Sequence, residues 1–319
     1  MQTTSAILLP SPLQRRLEAA ASDFLDPGAG SGIDFAVPPG EPALLSHDSV
    51  SWRLFKNPLS LFIGGVAAVI LELAEPRVRT GVWEHTSFRD DPLRRLKRTG
   101  LAAMMTVYGP RSRTEAMIAG VVRMHGRVRG STPAGQPYSA DDPELLDWVH
   151  ATASFGFLQA YHTYVRPLSR DARDAYYREG KTTSALYGAL APPGSEKELD
   201  LLFEAMADKL ERSAIVFEFL RIMQRVALLP RPMSMLQDWL IRAAVELVPR
   251  WARERLELGD AWNLRPWQRN VIGRAGSSVD RIVLRSGPAV QSCRRVGLPD
   301  DYLYTAPWNP PDTVRITGG

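Results

Sequence analysis

The sequence is poor in the residues that staple chains, bind zinc or carry covalent chemistry. Its 319 residues include one cysteine, Cys293. No intrachain disulfide or thiolate zinc site can form from it, and nothing marks an oxidising compartment. Lysine is also scarce: five of the 39 basic residues are lysines, leaving 34 arginines. The 35 acidic residues interleave with these arginines, so a net charge of +4 makes only a weak field. Nucleic-acid binders concentrate their basic residues on one face, and no nucleic-acid partner is expected.

Long apolar runs are missing as well. The longest, Leu61–Leu71, has eleven residues, about 16 Å as a helix, against roughly 20 residues for a bilayer core. It reads as a buried helix, and no membrane span is expected. The start has no basic region ahead of an apolar stretch, which argues against a signal peptide and for a cytoplasmic location. There is no phosphate loop, no G-x-G-x-x-G after a strand, no G-x-S-x-G and no H-E-x-x-H. These gaps exclude the commonest nucleotide-binding, serine-hydrolase and zinc-protease sites.

What is present suits a globular chain with a continuous core: 45% hydrophobic and 23% charged residues,. Residues 1–49 read as an arm. Ser11-Pro12 starts a short helix that ends near Asp26-Pro27-Gly28, and a Gly/Pro-rich linker follows,. Residues 50–319 read as one domain with almost no strand signal. Asn57-Pro58 opens a helix carrying the apolar run to Glu75-Pro76, and Asp91-Pro92 opens another that stops at Gly109. A third runs from about Ser112 to Gly130, and Asp142-Pro143 starts a fourth that stops at Pro167. Ser169 caps the next. Ser195 with Glu198 forms a capping box that opens one long helix to Met223,. Further helices fall around Met233–Glu246 and Trp251–Glu257, with two or three more between Pro266 and Arg295. The fold class is all-α, a single-domain helical bundle.

The five histidines are sorted by position. Ile118, Val121, Val122 and Val128 lie at −7, −4, −3 and +3 from His125, inside the apolar stripe of its helix,. His150 points inward with Leu146, Val149, Ala153 and Phe157. Each is either a core histidine donating to a backbone carbonyl or a metal or haem ligand, since a neutral imidazole in an apolar wall suits iron. His162 reads as exposed, His85 as a helix cap, and His47 has no role. Arg95 and Thr99 share a helix face, with Arg98 three residues from Arg95. An inward arginine there needs a buried anion, supplied by a carboxylate from another helix or by haem propionates. Trp83, Trp148, Tyr108, Phe155 and Phe157 suit either an aromatic cavity or the core.

Three segments in order, F-x-x-D-P-x-x-R-L-x-x-T ending at Thr99, H-G-x-V-x-G from His125 and Y-x-A-x-D-P-x-L-L-x-W-V-H ending at His150, resemble the MpaB-type oxygenases. That family includes the latex-clearing rubber oxygenases, and the resemblance covers roughly Leu54 to Met223. It implies a globin-like fold with one haem b, His125 as proximal iron ligand, and Arg95, Thr99 and Arg98 close to the haem. His150 would belong to the haem surroundings, and a carbonyl or carboxylate would sit near the His125 Nδ1. Gly64-Gly65 would let a flat ring approach the Leu61–Glu75 wall. Glu75 or Glu84 would act as base or proton relay if burial raises its pKa; otherwise Glu75 is a solvated helix end facing an arginine. Arg98 and Glu75-Pro76 depart from the family pattern and point away from rubber itself. The function implied is a haem b-dependent oxidoreductase using dioxygen or peroxide on a small apolar organic or natural-product molecule. Two alternatives stay open: a haem-free enzyme using His125 and His150 with or without a non-haem metal, and a non-catalytic helical binding protein.

Overall fold

Helices begin where the sequence supplies a side-chain acceptor, often followed by proline. The computed structural model describes residues 33–226 and 234–305, together with Ala6, Ile7, Pro12, Gln14, Arg15, Glu18 and Ala19. In chain order its helices are α1 (Val50–Leu54), α2 (Pro58–Glu72), α3 (Pro76–His85), α4 (Pro92–Tyr108), α5 (Arg111–His125), α6 (Pro143–Tyr164) and α7 (Arg170–Tyr187). These are followed by α8 (Glu196–Ala207), α9 (Ala214–Arg225), α10 (Ser234–Leu247), α11 (Arg250–Arg255), α12 (Pro266–Val279), α13 (Pro288–Arg295) and α14 (Tyr302–Thr305). Asn57 caps α2 by accepting from the Leu59 and Ser60 amides, and Asp91 and Asp142 cap α4 and α6 in the same way. Each of these three caps is followed by proline, which gives up no amide that the first turn would use.

The fold is all-α, as expected, apart from one small hairpin among the described residues. The helix expected to reach Gly130 stops at His125, and β1 (Arg129–Ser131) pairs antiparallel with β2 (Pro137–Ser139). The long helix expected from Ser195 to Met223 is two helices, α8 and α9. Tertiary contacts pin the break between them: the Glu211 amide donates to Ala74 O at 2.9 Å, Arg79 pairs with Glu211, and Arg255 donates to the Leu210 and Asp208 carbonyls. Ser213 then caps α9. The helix α3, which begins on the cap of Glu75, was not expected. The short helix expected from Pro12 onward and the Gly-rich linker after it lie largely outside the described residues. Phe35, Ala43 and Leu45 already belong to the core, so the chain joins the main body before Val50. Arg295, 2% exposed, donates to Phe35 O, Glu41 O and Tyr108 O, which fixes this entering segment against α13 and α4.

Helix α2 packs on α6 and α10. Its contact with α6 is backbone to backbone: a Cβ on Gly64 would lie 2.6 Å from Gly156 O, and one on Gly156 would lie 2.3 Å from Gly64 O. About two turns further along, Trp148 Nε1 donates to Leu71 O at 3.3 Å,. The pairing of 64 with 156 and 71 with 148 makes the two helices antiparallel. Gly64 is therefore committed to helix contact, not to the approach of a flat ring. Among the described residues no single helix is long and apolar enough to cross a membrane. Helices α2 and α3 pass that test only as a pair, bent by 111°.

Candidate active site

Most of α2 is buried, but Phe62, Gly65, Val69 and Glu72 are only half-buried. Their spacing of three and four residues places them on one face. On α6 the half-buried positions His150, Ala153, Ser154 and Phe157 form a matching face. The two faces meet at Gly65, where a Cβ would touch the Phe157 ring at 3.7 Å. Because the helices are antiparallel, Glu72 stands near the level of Trp148, and Gly65 near that of Phe157.

Charge coupling ties this wall to α4 and α5. Burial pushes the Glu72 carboxyl up to about 7, against the pull of Arg95. Burial and the neighbouring Arg98 lower the Arg95 guanidinium, although Glu72 supports its charge. His125 is lowered by burial and then by Arg95, with Asp141 opposing. Burial, followed by the charge of His125, takes His150 down to about 4. These mutual charge effects link Glu72, Arg95, His125 and His150, one residue from each of four helices. Each of the four is crowded by protein and keeps some accessible surface.

Arg95 donates from Nη1 to Thr99 Oγ1, and Thr99 in turn donates to Arg95 O at 2.9 Å. No carboxylate forms a contact ion pair with Arg95 or Arg98 among the described residues. The His125 Nδ1 is buried without a hydrogen-bond partner, so the carbonyl or carboxylate expected beside it is not found. The His150 ring lies 5.1 Å from that of Tyr187, whose hydroxyl pairs with Thr106 Oγ1 at 2.9 Å.

The two expected carboxylates lie elsewhere. Glu75 is 1% exposed, not solvated: Oε2 caps α3 by accepting from the Val78 amide at 2.8 Å, and Oε1 accepts from Arg77 Nε at 2.7 Å. With both oxygens engaged it is a structural cap. Glu84 is exposed and accepts from the Tyr138 hydroxyl at 3.2 Å, beside His85, whose Nε2 is 3.1 Å from the same hydroxyl. His162 is half-buried, its Nδ1 accepting from the Leu168 amide, and exposed His47 meets the Tyr302 ring. Trp148, Tyr108 and Phe155 are core, whereas Phe157 is half-buried with its ring 4.9 Å from that of Phe55. Glu72 escaped the sequence reading. Its signal was present all the same, as a lone carboxylate closing the 62, 65, 69 stripe.

Among the described residues no three His, Cys, Asp or Glu side chains converge to hold a metal ion. Residues 52–277 of the 319 match the family model described as "ER-bound oxygenase mpaB/B'/Rubber oxygenase, catalytic domain". No curated protein and no solved structure matches the chain.

Proposed function

Because the chain belongs to the mpaB/rubber oxygenase catalytic-domain family, we propose that it is a haem b-dependent oxygenase. It acts on a small apolar organic molecule with dioxygen or peroxide, and His125 is its iron ligand. The observation that carries this reading is the His125 ring, which has a buried nitrogen without a protein partner and a lowered pKa. An unmet buried polar atom costs about 1–3 kcal/mol, and ligation meets that demand. A lowered pKa keeps the ring neutral at pH 7, the form that binds metal. A haem held here by His125 would supply dioxygen-activating redox chemistry.

This chain's own residues would do the rest. Arg95, oriented by Thr99, and Arg98 present guanidinium donors with no carboxylate in contact. They suit the two propionates, because guanidinium and carboxylate pair through parallel hydrogen bonds. His150 stays neutral down to about pH 4 and so adds no cation next to His125. Phe62, Val69 and Phe157 add half-buried apolar surface on α2 and α6, the kind of wall an apolar substrate would use.

The test is direct. Protein from cells supplied with iron and 5-aminolaevulinate should carry one haem per chain, of b type by its pyridine haemochrome spectrum. A colourless protein from such cells that takes up no added haemin would refute the reading.

A further inference from the structure

The C-terminal end of α6, at Thr163 and Tyr164, borders a cavity of about 560 Å³ that the oxygenase reading does not use. Small-molecule sites fall in the range of about 300–1,000 Å³. Tyr164 stands about 21 Å along α6 from His150 at 1.5 Å of rise per residue, so the cavity is separate from the group around His125. Arg253 of α11, Arg269 of α12 and Glu246 of α10 bring charge to its wall, and Leu247, Leu264 and Pro266 bring apolar surface. The charges do not cancel. Glu246 is committed to Arg269, whose Nε and Nη2 donate to it at 3.2 and 2.9 Å, and its Oε1 also accepts from the Leu264 amide. Arg253 has no such partner. Its Nη2 donates to Asn263 Oδ1 and, at 3.5 Å, to Leu258 O, while its Nε is buried with no hydrogen-bond acceptor. Its acidic neighbours in the chain are engaged elsewhere: Glu254 with Arg250, Glu257 with Arg212, and Asp260 with Asn263 Nδ2. Among the described residues no carboxylate pairs with Arg253. A half-buried guanidinium without a counter-ion is costly, and charges drawn out of water are normally paired.

We infer that this cavity is a second binding site, for a small organic monocarboxylate. The carboxylate pairs with the Arg253 guanidinium, whose planar fork of N–H donors matches it, and the apolar body lies against Leu247, Leu264 and Pro266. The charge of the ligand follows from the wall. One uncompensated positive charge balances one negative charge, and Glu246 beside it opposes a second, which disfavours a phosphate monoester. A neutral molecule of the same shape fills the space but leaves Arg253 without its counter-ion. The site goes beyond the oxygenase reading and does not depend on haem.

The probes are 4-phenylbutyrate, its neutral amide 4-phenylbutyramide, and phenethyl phosphate, titrated calorimetrically into the purified protein at about pH 7.5, where the phosphate is a dianion. The carboxylate should bind about tenfold or more tighter than the amide, and tighter than the phosphate. Arg253→Gln should remove the preference for the carboxylate over the amide. Arg253→Lys, which keeps the charge without the fork, should retain part of it. Because Arg253 also holds Asn263, a second variant approaches the cavity from another wall. Exposed Thr163 replaced by tryptophan, Thr163→Trp, sets a large ring in the cavity and leaves the guanidinium intact. It should weaken carboxylate and amide alike by about tenfold or more. Equal binding of carboxylate and amide, or tighter binding of the phosphate, would overturn the inference. So would an Arg253→Gln variant that keeps the preference, a Thr163→Trp variant that binds the carboxylate normally, or no binding of any probe up to about 10 mM. Calorimetry needs no chromophore, so a colourless protein with the carboxylate preference intact would refute the haem reading and leave this inference standing.

Discussion

Replacing Gly64 by alanine should unseat the central helix pair. The added methyl would lie 2.6 Å from Gly156 O and 2.7 Å from the Phe157 Cα, about 0.8 Å short of the lower end of a comfortable carbon–carbon separation of about 3.5–4.0 Å. Both obstacles are helical backbone, so no rotamer change relieves the clash and α2 and α6 must move apart. Overpacking of this kind costs about 1–3 kcal/mol, and rigid obstacles put this case at the upper end. Alanine returns about 1 kcal/mol through helix propensity, for a net destabilisation of about 2 kcal/mol. Gly65→Ala is the internal control. Its methyl meets only a movable ring atom at 3.7 Å, so the propensity gain stands and the variant should gain up to about 1 kcal/mol. Urea unfolding of the parent and both variants should therefore separate the two alanines by about 3 kcal/mol. Variants that agree within about 0.5 kcal/mol would show that the helices are not in backbone contact at Gly64.

Three further outcomes follow from the same site. Glu72 titrates higher in the folded chain, about 7, than the ordinary 4.5; its contribution is present below pH 4.5 and lost as pH rises through 7. At about 1.4 kcal/mol per pKa unit, and discounted for its partial access to water, the loss is about 2 kcal/mol. Glu72→Gln should therefore stabilise the protein by about that amount at pH 8 and not at pH 4, measured by denaturant unfolding; an unchanged pH profile would show an ordinary surface carboxylate. His150 has the opposite sign: its pKa falls from 6.5 to about 4 on folding. Stability present above pH 6.5 is lost as pH drops toward 4, by about 2–3 kcal/mol, and His150→Phe should flatten that slope; a parallel slope in the variant would refute the burial of the ring. Glu75→Ala removes a helix cap and an ion-pair partner of Arg77, and should cost about 2 kcal/mol in thermal unfolding while haem content is kept. Loss of haem without loss of stability would return Glu75 to the site.

The parts of the fold legible in the sequence were those decided locally. Asn57-Pro58, Asp91-Pro92 and Asp142-Pro143 each carry an acceptor and a donor-free first position, and helices start at all three. The break at 208–213 was not legible, because the backbone groups there are taken by Ala74, Arg79 and Arg255, which are distant in sequence. The site divides the same way. The spacing of four put Arg95 and Thr99 on one face, where they hydrogen-bond with Thr99 exposed, and the apolar spacing around His150 and His125 matched their partial burial. Glu72 carries no local signal beyond its place on the 62, 65, 69 stripe. Its depth depends on α6 running antiparallel beside it, a matter of topology that periodicity does not encode. Gly64 and Gly65 are identical as neighbours in sequence; only the position of Gly156 makes one a contact and the other an opening.

The central claim, that His125 holds an iron porphyrin, is tested most directly by His125→Gly with and without added imidazole. The parent should show a Soret band, the variant should lose it, and millimolar imidazole with haemin should restore it by supplying the missing ring in the space left behind. A His125→Gly protein whose Soret band matches the parent's in position and intensity would contradict the account.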